Sequence, residues 1–252
     1  MALSIAYDAH THTTLSDGRN TLIENVRAAE ACGLECLAIT DHFNAPGEWF
    51  ELMLSGVQAA RQWSSVTVLA GAEATILNPG GEVSIDEAHA RRLDFVLADF
   101  GGRTHGIAAG PPATKARLID NVVTSLVNAC RNPLVNAIAH PFNLGRFPGE
   151  LHLSDIPRAS LEMIGETFAE THTAFEIMNQ MYWWWPEEPV ERFTKDYVAL
   201  VSTLSDVGVK FVLGSDAHSA GAVGNLSWSL RVVEQAEIPA RQIVNLAKLA
   251  RP

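Results

Sequence analysis

Ser4-Ile5-Ala6-Tyr7-Asp8-Ala9-His10-Thr11-His12 is a short, mostly apolar run that ends in two histidines spaced two apart and is followed by Ser16-Asp17-Gly18. Side chains two apart on a strand share a face, so His10 and His12 can aim two imidazoles at one point, as two ligands of one metal ion must. Taken alone, a His-x-His at a strand-to-loop junction is more often a pair of ordinary polar residues. Its meaning depends on what the other strands carry.

Outward from that run, apolar segments of strand length alternate with helical ones. Residues 4–8, 37–40, 67–72, 95–98, 137–139, 174–178 and 210–213 read as strands. Thr21 reads as an N-cap with Glu24 three residues on, a capping box for a helix that stops near Gly33, and Asp86 as the cap of a helix reaching Arg92. Further helices are expected around residues 50–63, 115–128, 161–170, 191–207 and 241–249. This alternation calls for a parallel sheet with crossover helices in an α/β fold. Seven repeats of strand and helix make a closed or nearly closed barrel, whose active-site residues belong at the C-terminal strand ends.

The strand ends answer that expectation. The first carries His10 and His12, the second Asp41-His42, the third Glu73, the fifth His140-Pro141 and the seventh Asp216-Ala217-His218. First and last strands are neighbours in a closed barrel, so His10/His12 and Asp216/His218 should face each other across one rim. Mixed imidazole and carboxylate ligands suit zinc, manganese or iron, whereas a calcium site is built from oxygens. The set exceeds what one ion needs, and a carboxylate such as Glu73 can bridge two ions.

Together, the run at His10 to Gly18, Ala-Ile-Thr-Asp-His at Ala38 to His42, Gly-Ala-Glu at Gly71 to Glu73, Ala-His-Pro at Ala139 to Pro141 and Ser-Asp-Ala-His at Ser215 to His218 resemble the PHP (polymerase and histidinol phosphatase) superfamily of metal-dependent phosphoesterases. The resemblance implies a distorted (β/α)7 barrel with two or three divalent metal ions. By the same resemblance, His10, His12, Glu73 and Asp216 would hold the first ion, with Glu73 bridging to a second that His140 also binds. Asp17, His42 and His218 would hold a third, and Asp41 would orient a ligating imidazole. Family members usually place another histidine just after the fourth strand, where this chain has Gly101. His105, in the glycine-rich loop beyond, is the candidate replacement. His89, His152 and His172 lie away from C-terminal strand ends and read as surface or packing residues.

Two close metal ions can lower the pKa of a shared water toward about 7 while clamping the oxygens of a phosphate ester. A cation outside the metal set would assist, and Arg146 and Arg103 rank ahead of Arg19 for that role. The loop from Gly101 to Pro112 reads as a lid or a plain connection. Tyr182-Trp183-Trp184-Trp185-Pro186 follows the sixth strand on the ligand rim and offers an aromatic wall beside the metals. The leading expectation is hydrolysis of a small anionic phosphate mono- or diester. Asp17 stands where the histidinol phosphatase branch more often has histidine, which leans away from histidinol phosphate. The alternatives are an amidohydrolase acting on C–N bonds, which usually shows a carboxylated lysine that no strand end here supplies, and a non-catalytic PHP domain, which should have lost several ligands.

Composition narrows the field further. Across 252 residues, 18 Lys+Arg stand against 29 Asp+Glu for a net charge of -11, so no broad nucleic-acid surface is expected. A hydrophobic content of 47% suffices for a substantial core, and no linker or repeat divides residues 1–252, which read as one domain. Residues 1–10 lack the basic start and long apolar run of a signal peptide, and no stretch approaches a membrane span. Cys32, Cys36 and Cys130 lack zinc-finger spacing and read as buried thiols, so a cytoplasmic location is expected. The oligomeric state is not legible.

Overall fold

In the computed structural model, which describes residues 5–145, 147 and 150–251, the apolar runs form parallel strands. These are β1 (Tyr7–Asp8), β2 (Cys36–Ile39), a two-residue β3 (His42–Phe43), β4 (Thr67–Thr75), β5 (Phe95–Asp99), β6 (Ala137–Ile138), β7 (Ala174–Met178) and β8 (Lys210–Gly214). β2, β5 and β7 are buried along their whole length, which is why they read as continuous apolar runs rather than alternating ones. The sheet order is β1-β2-β4-β5-β6-β7-β8, with β3 paired to β4 off that path. Ala9 N–H donates to Leu213 O at 3.1 Å and Thr11 bridges Ala217, so the first and last strands meet and nearly close a seven-stranded barrel.

The crossovers are α1 (Leu22–Ala31), α2 (Glu48–Trp63), one-turn α3 (Glu87–Ala90), α4 (Lys115–Cys130), α5 (Arg158–Thr171), α6 (Val190–Asp206) and α7 (Ser227–Gln235). Their buried faces follow the helical repeat, as in Phe50, Met53, Val57 and Ala60 of α2 or Phe193, Tyr197, Leu200, Val201 and Leu204 of α6. These faces and the strands form two contiguous apolar clusters, one mainly around α4 to α7 and the other around α1 and α2. No helix among the described residues is long and apolar enough to cross a membrane.

α1 begins as its sequence dictates: the Thr21 hydroxyl accepts from Glu24 N–H while the Glu24 carboxylate accepts from Thr21 N–H at 2.7 Å. Both partners are exposed, so Thr21→Ala should remove only the cap. We expect a loss of about 1 kcal/mol in urea unfolding, with an unchanged m-value.

Two expectations are corrected, and one helix was not foreseen. The C-terminal helix expected over 241–249 is two 3₁₀ turns, because the Gln242 Nε2 amide donates to Ser205 O and Val209 O while Val244 N–H donates to Phe211 O at 2.8 Å, holding the chain extended between them. α7 is not legible beforehand: its N-cap, Leu226, contributes no side-chain bond, and Asn179 Oδ1 accepts from Trp228 N–H instead. Cys36 and Cys130 are buried, and burial pushes both thiols above their usual range, but Cys32 is exposed rather than buried.

Candidate metal centre

The exit of β1 is held by Asp8, whose buried carboxylate accepts from the backbone N–H groups of His10, Ser215 and Gly224 at 3.2, 2.9 and 2.8 Å. This ties the β1 end to the β8 end and leaves His10 and His12 fully buried, their Nε2 atoms 3.0 Å apart. Asp216, beyond β8, brings Oδ1 to 3.5 Å from His10 Nε2 and 3.2 Å from His12 Nε2. The two strand-end pairs therefore do face each other.

Glu73 sits inside β4 and is 1% exposed. Around its carboxylate stand His42 Nδ1 at 2.8 Å, His140 Nε2 at 3.0 Å, His10 Nε2 at 3.4 Å and His12 Nε2 at 3.5 Å. Despite these distances both Glu73 oxygens are buried without a properly angled hydrogen bond, as are Asp99 Oδ1 and His140 Nδ1. Buried polar atoms are nearly always hydrogen-bonded, so a concentration of orphans with lone pairs in shared space is the signature expected of a cation-ligating set. On the solvent side, Asp17 lies 3.2 Å from His218 Nε2, 3.5 Å from His42 Nε2 and 3.6 Å from His12 Nδ1. Ligand atoms of His12, Asp17, His42 and His218 all fall within 4.8 Å of one another, as do those of His10, His12 and Glu73, and those of Glu73, Asp99 and His140.

Glu176 is a residue that sequence reading misses. It is fully buried in β7, where one oxygen lies 2.9 Å from His10 Nδ1 and the other accepts from His140 N–H at 2.7 Å. Fixing His10 through Nδ1 turns Nε2 toward Glu73 and Asp216, the role a carboxylate behind a ligating imidazole performs. The available signal was one glutamate inside the otherwise apolar Ala174–Met178 strand.

In the protein without bound metal, burial disfavours the charged forms of His10, His42, His140, Glu73 and Asp216, but the opposite charges around them win. Burial lowers the pKa of His42 and His140, yet Glu73 raises both to about 9. His10 is raised well above its usual value by Glu176 and Glu73 against the same opposition, while the Glu73 and Asp216 carboxyls are held low by the imidazoles. Asp99 is pushed up to about 7 by burial and by Glu73. Imidazoles kept protonated must release their protons before binding a cation. Apparent metal affinity should therefore climb between about pH 7 and 9 by roughly tenfold per unit for each proton displaced, then level off. Manganese titrations across that range, in buffers of different ionisation enthalpy, check both the slope and the protons released.

Backbone strain gathers at the same rim. His140, Phe142, Gln180 and Asp216 all have positive φ, at 29°, 71°, 61° and 53°. Such conformations cost about 1–3 kcal/mol each and persist where surrounding structure over-determines them, typically at functional sites.

Above the ligands opens a cavity of about 550 Å³, lined by Asp17, Arg19, His42, Glu73, Asp99, His140, Trp183, Trp184, Asp216 and His218 among others. No lysine lines it among the described residues. The aromatic run divides: Trp185 is buried, with its indole N–H on Leu151 O, and Tyr182 packs edge-on against Trp228. Trp183 is 51% exposed, and the Trp184 ring lies 5.7 Å from that of His140.

Other expectations meet a different geometry. His105 is exposed, joins none of the close ligand groups and lines a separate cavity with Leu77 and Arg103, its backbone N–H held by Leu77 O at 2.9 Å. Arg103 is also outside the cleft, donating to Asn44 O at 3.1 Å. Arg146 lies outside the described residues. Asp41 makes no direct hydrogen bond to an imidazole: its carboxylate accepts from Thr13 N–H, the Thr13 hydroxyl and the Ser16 hydroxyl at 2.8, 2.8 and 2.6 Å, fixing the loop that carries Asp17, and reaches His12 Nδ1 only through Ser16 Oγ at 3.5 Å. The Gly101 to Pro112 loop is pinned rather than free, since Thr104 O accepts from Ala108 and Ala109 N–H and Asn121 holds Gly106 O.

Comparison with known proteins places this geometry in context. The family model described as the PHP domain matches residues 8–215. A probable phosphatase of Acetivibrio thermocellus is 29% identical, covering 96% of this chain and 92% of the relative. One from Caldicellulosiruptor saccharolyticus is 30% identical, covering 94% and 90%. Among solved structures, histidinol phosphate phosphatase from Lactococcus lactis, complexed with zinc, L-histidinol and phosphate, superimposes with a TM-score of 0.64 at 18% identity, covering 94% of this chain and 95% of that one. At that identity the likeness speaks for the fold.

Proposed function

The chain belongs to the PHP domain family, and from that premise we propose that it is a metal-dependent phosphatase hydrolysing a small phosphate ester at the barrel rim. The observation that carries this reading is the pair of orphaned Glu73 oxygens amid four imidazoles. His10, His12, Glu73 and Asp216 would hold one divalent ion, Glu73 and His140 a second, and Asp17, His42 and His218 a third. Zinc, manganese or iron bound there would lower the pKa of water and offset the charge of a phosphate group.

The chain's own residues supply the rest. Glu176 keeps a proton on His10 Nδ1, which leaves Nε2 free as a ligand. Asp41 holds the Thr13–Ser16 turn so that Asp17 stays at the cleft. Arg19, an arginine that lines the cavity, can pair with phosphate oxygens beyond the ligand set. Trp183 and Trp184 wall the side where a leaving group would sit and screen it from water.

Relatives named probable phosphatase across nearly the whole chain, and a neighbour complexed with zinc and phosphate, support this reading. The cavity volume suits a small molecule. The C–N hydrolase alternative gains nothing from a cavity without lysine among the described residues. Phosphate should be released from a generic aryl phosphate in the presence of manganese, cease on chelation and resume on metal addition. A metal-loaded protein that turns over no phosphate mono- or diester would overturn the proposal.

A further inference from the structure

Asp99 ends β5 one residue beyond the apolar run, 6% exposed, with Oδ1 buried and without a hydrogen-bond partner. Among the described residues no lysine or arginine forms an ion pair with it. An ionised carboxylate left in that state is costly, so a buried Asp with a bare oxygen calls for a cation. Its surroundings supply the other half of such a site. Thr75 pairs with Asp99 across β4 and β5, which brings Asp99 level with the end of the strand that carries Glu73. One ligand atom each from Glu73, Asp99 and His140 lies within 4.8 Å of the other two, and the facing oxygens of Glu73 are themselves unpartnered. At Gly101 a Cβ would come 3.1 Å from Thr75 Oγ1 and 3.3 Å from Asp99 Oδ2, so the missing side chain there leaves the space to Asp99.

We propose that Asp99 is a ligand of the second metal ion, and that the subsite it forms with Glu73 and His140 favours oxygen-seeking ions such as manganese more than an imidazole-rich subsite would. This rests on the reading of the rim as a divalent-metal site. Two carboxylates and one imidazole are a harder ligand set than one carboxylate and two imidazoles. Carboxylate ligands suit magnesium and manganese, while imidazole suits zinc. The carboxylate also adds negative charge, which strengthens binding of the hard ion through electrostatics and not through covalency.

The test reads metal binding directly. Full-length protein is stripped and dialysed against manganese alone, zinc alone and both, and bound metal is counted by mass spectrometry, with manganese EPR to detect close ion pairs. Asp99→Asn preserves volume, and circular dichroism verifies its fold. The expected result is one fewer manganese per chain in Asp99→Asn and loss of any spin-coupled signal. In Asp99→His the second site should refill, with the zinc-to-manganese affinity ratio raised about tenfold or more. Unchanged manganese stoichiometry and affinity in Asp99→Asn would overturn the assignment while leaving the metal-dependent reading intact. An unchanged metal ratio in Asp99→His would overturn the preference. A native protein that binds no ion would overturn both the inference and the reading beneath it.

Discussion

Glu73→Gln is expected to lower kcat/KM for phosphate-ester hydrolysis by about a thousandfold or more, equivalent to ~4 kcal/mol of transition-state stabilisation. Glu73 is the carboxylate that His10, His12, His42 and His140 all approach, so it touches each proposed ion's neighbourhood. The amide keeps the side-chain volume but loses the charge and one ligating oxygen. A shared carboxylate removed from a two-ion site weakens both ions at once, which is why the loss should exceed that of an outlying ligand such as Asp17, which is about half exposed. The fold should persist, because Glu73 is paired through its backbone to both His42 and Leu97 in the middle of the sheet. Metal content should fall in parallel with rate, and the melting temperature of the metal-free protein should move by only a few degrees. His42 and His140, whose raised pKa values depend on Glu73, should titrate closer to an ordinary histidine when followed by NMR. Near-normal turnover at saturating manganese would contradict the ligand role.

What the sequence made visible and what it hid have physical causes. His10, His12, Asp216 and His218 are legible because a strand's period of two puts alternate residues on one face, and because barrel closure makes first and last strands neighbours. Glu73 and His140 are legible as lone polar residues at the ends of apolar runs. Asp99 is hidden by one residue: a strand ending at Ala98 leaves the aspartate looking like loop, and attention passes to His105, a ligand type at an unsuitable place. Glu176 is hidden for the opposite reason, since a charged residue inside a buried strand declares itself only when its partners, His10 and the His140 backbone, come from strands far away in sequence. Asp41 looks like an imidazole partner because it precedes His42, but it lies in the short link between β2 and β3 and turns to Thr13 and Ser16 instead. Residues 241–249 are mostly good helix formers, yet the Gln242 amide and the Phe211 carbonyl outcompete a short helix that Ile243, Val244 and Asn245 weaken at its centre.

Gly214→Ala carries the other large expected effect, a loss of about 1–3 kcal/mol of stability joined to a fall in metal affinity of roughly 10–100-fold. A Cβ at this position would clash with Glu176 Oε1 and come 2.5 Å from His10 Cβ, so something must move. The backbone resists, because Gly214 pairs with Met178 in the sheet and its carbonyl accepts from Asn179 N–H at 2.8 Å. Glu176 has to give way, and the oxygen that would be displaced is the one holding His10 Nδ1. The imidazole then loses its fixed orientation, and Nε2 no longer converges on Glu73 and Asp216. Crowding and ligand orientation separate in a double-mutant cycle. In a Glu176→Ala background, which already lacks the carboxylate, Gly214→Ala should cost markedly less stability and almost no further manganese affinity, with the remaining penalty set by the contact with His10 Cβ. Equal costs in the two backgrounds would show that the glycine is needed for the strand itself and not to make room for the carboxylate behind His10.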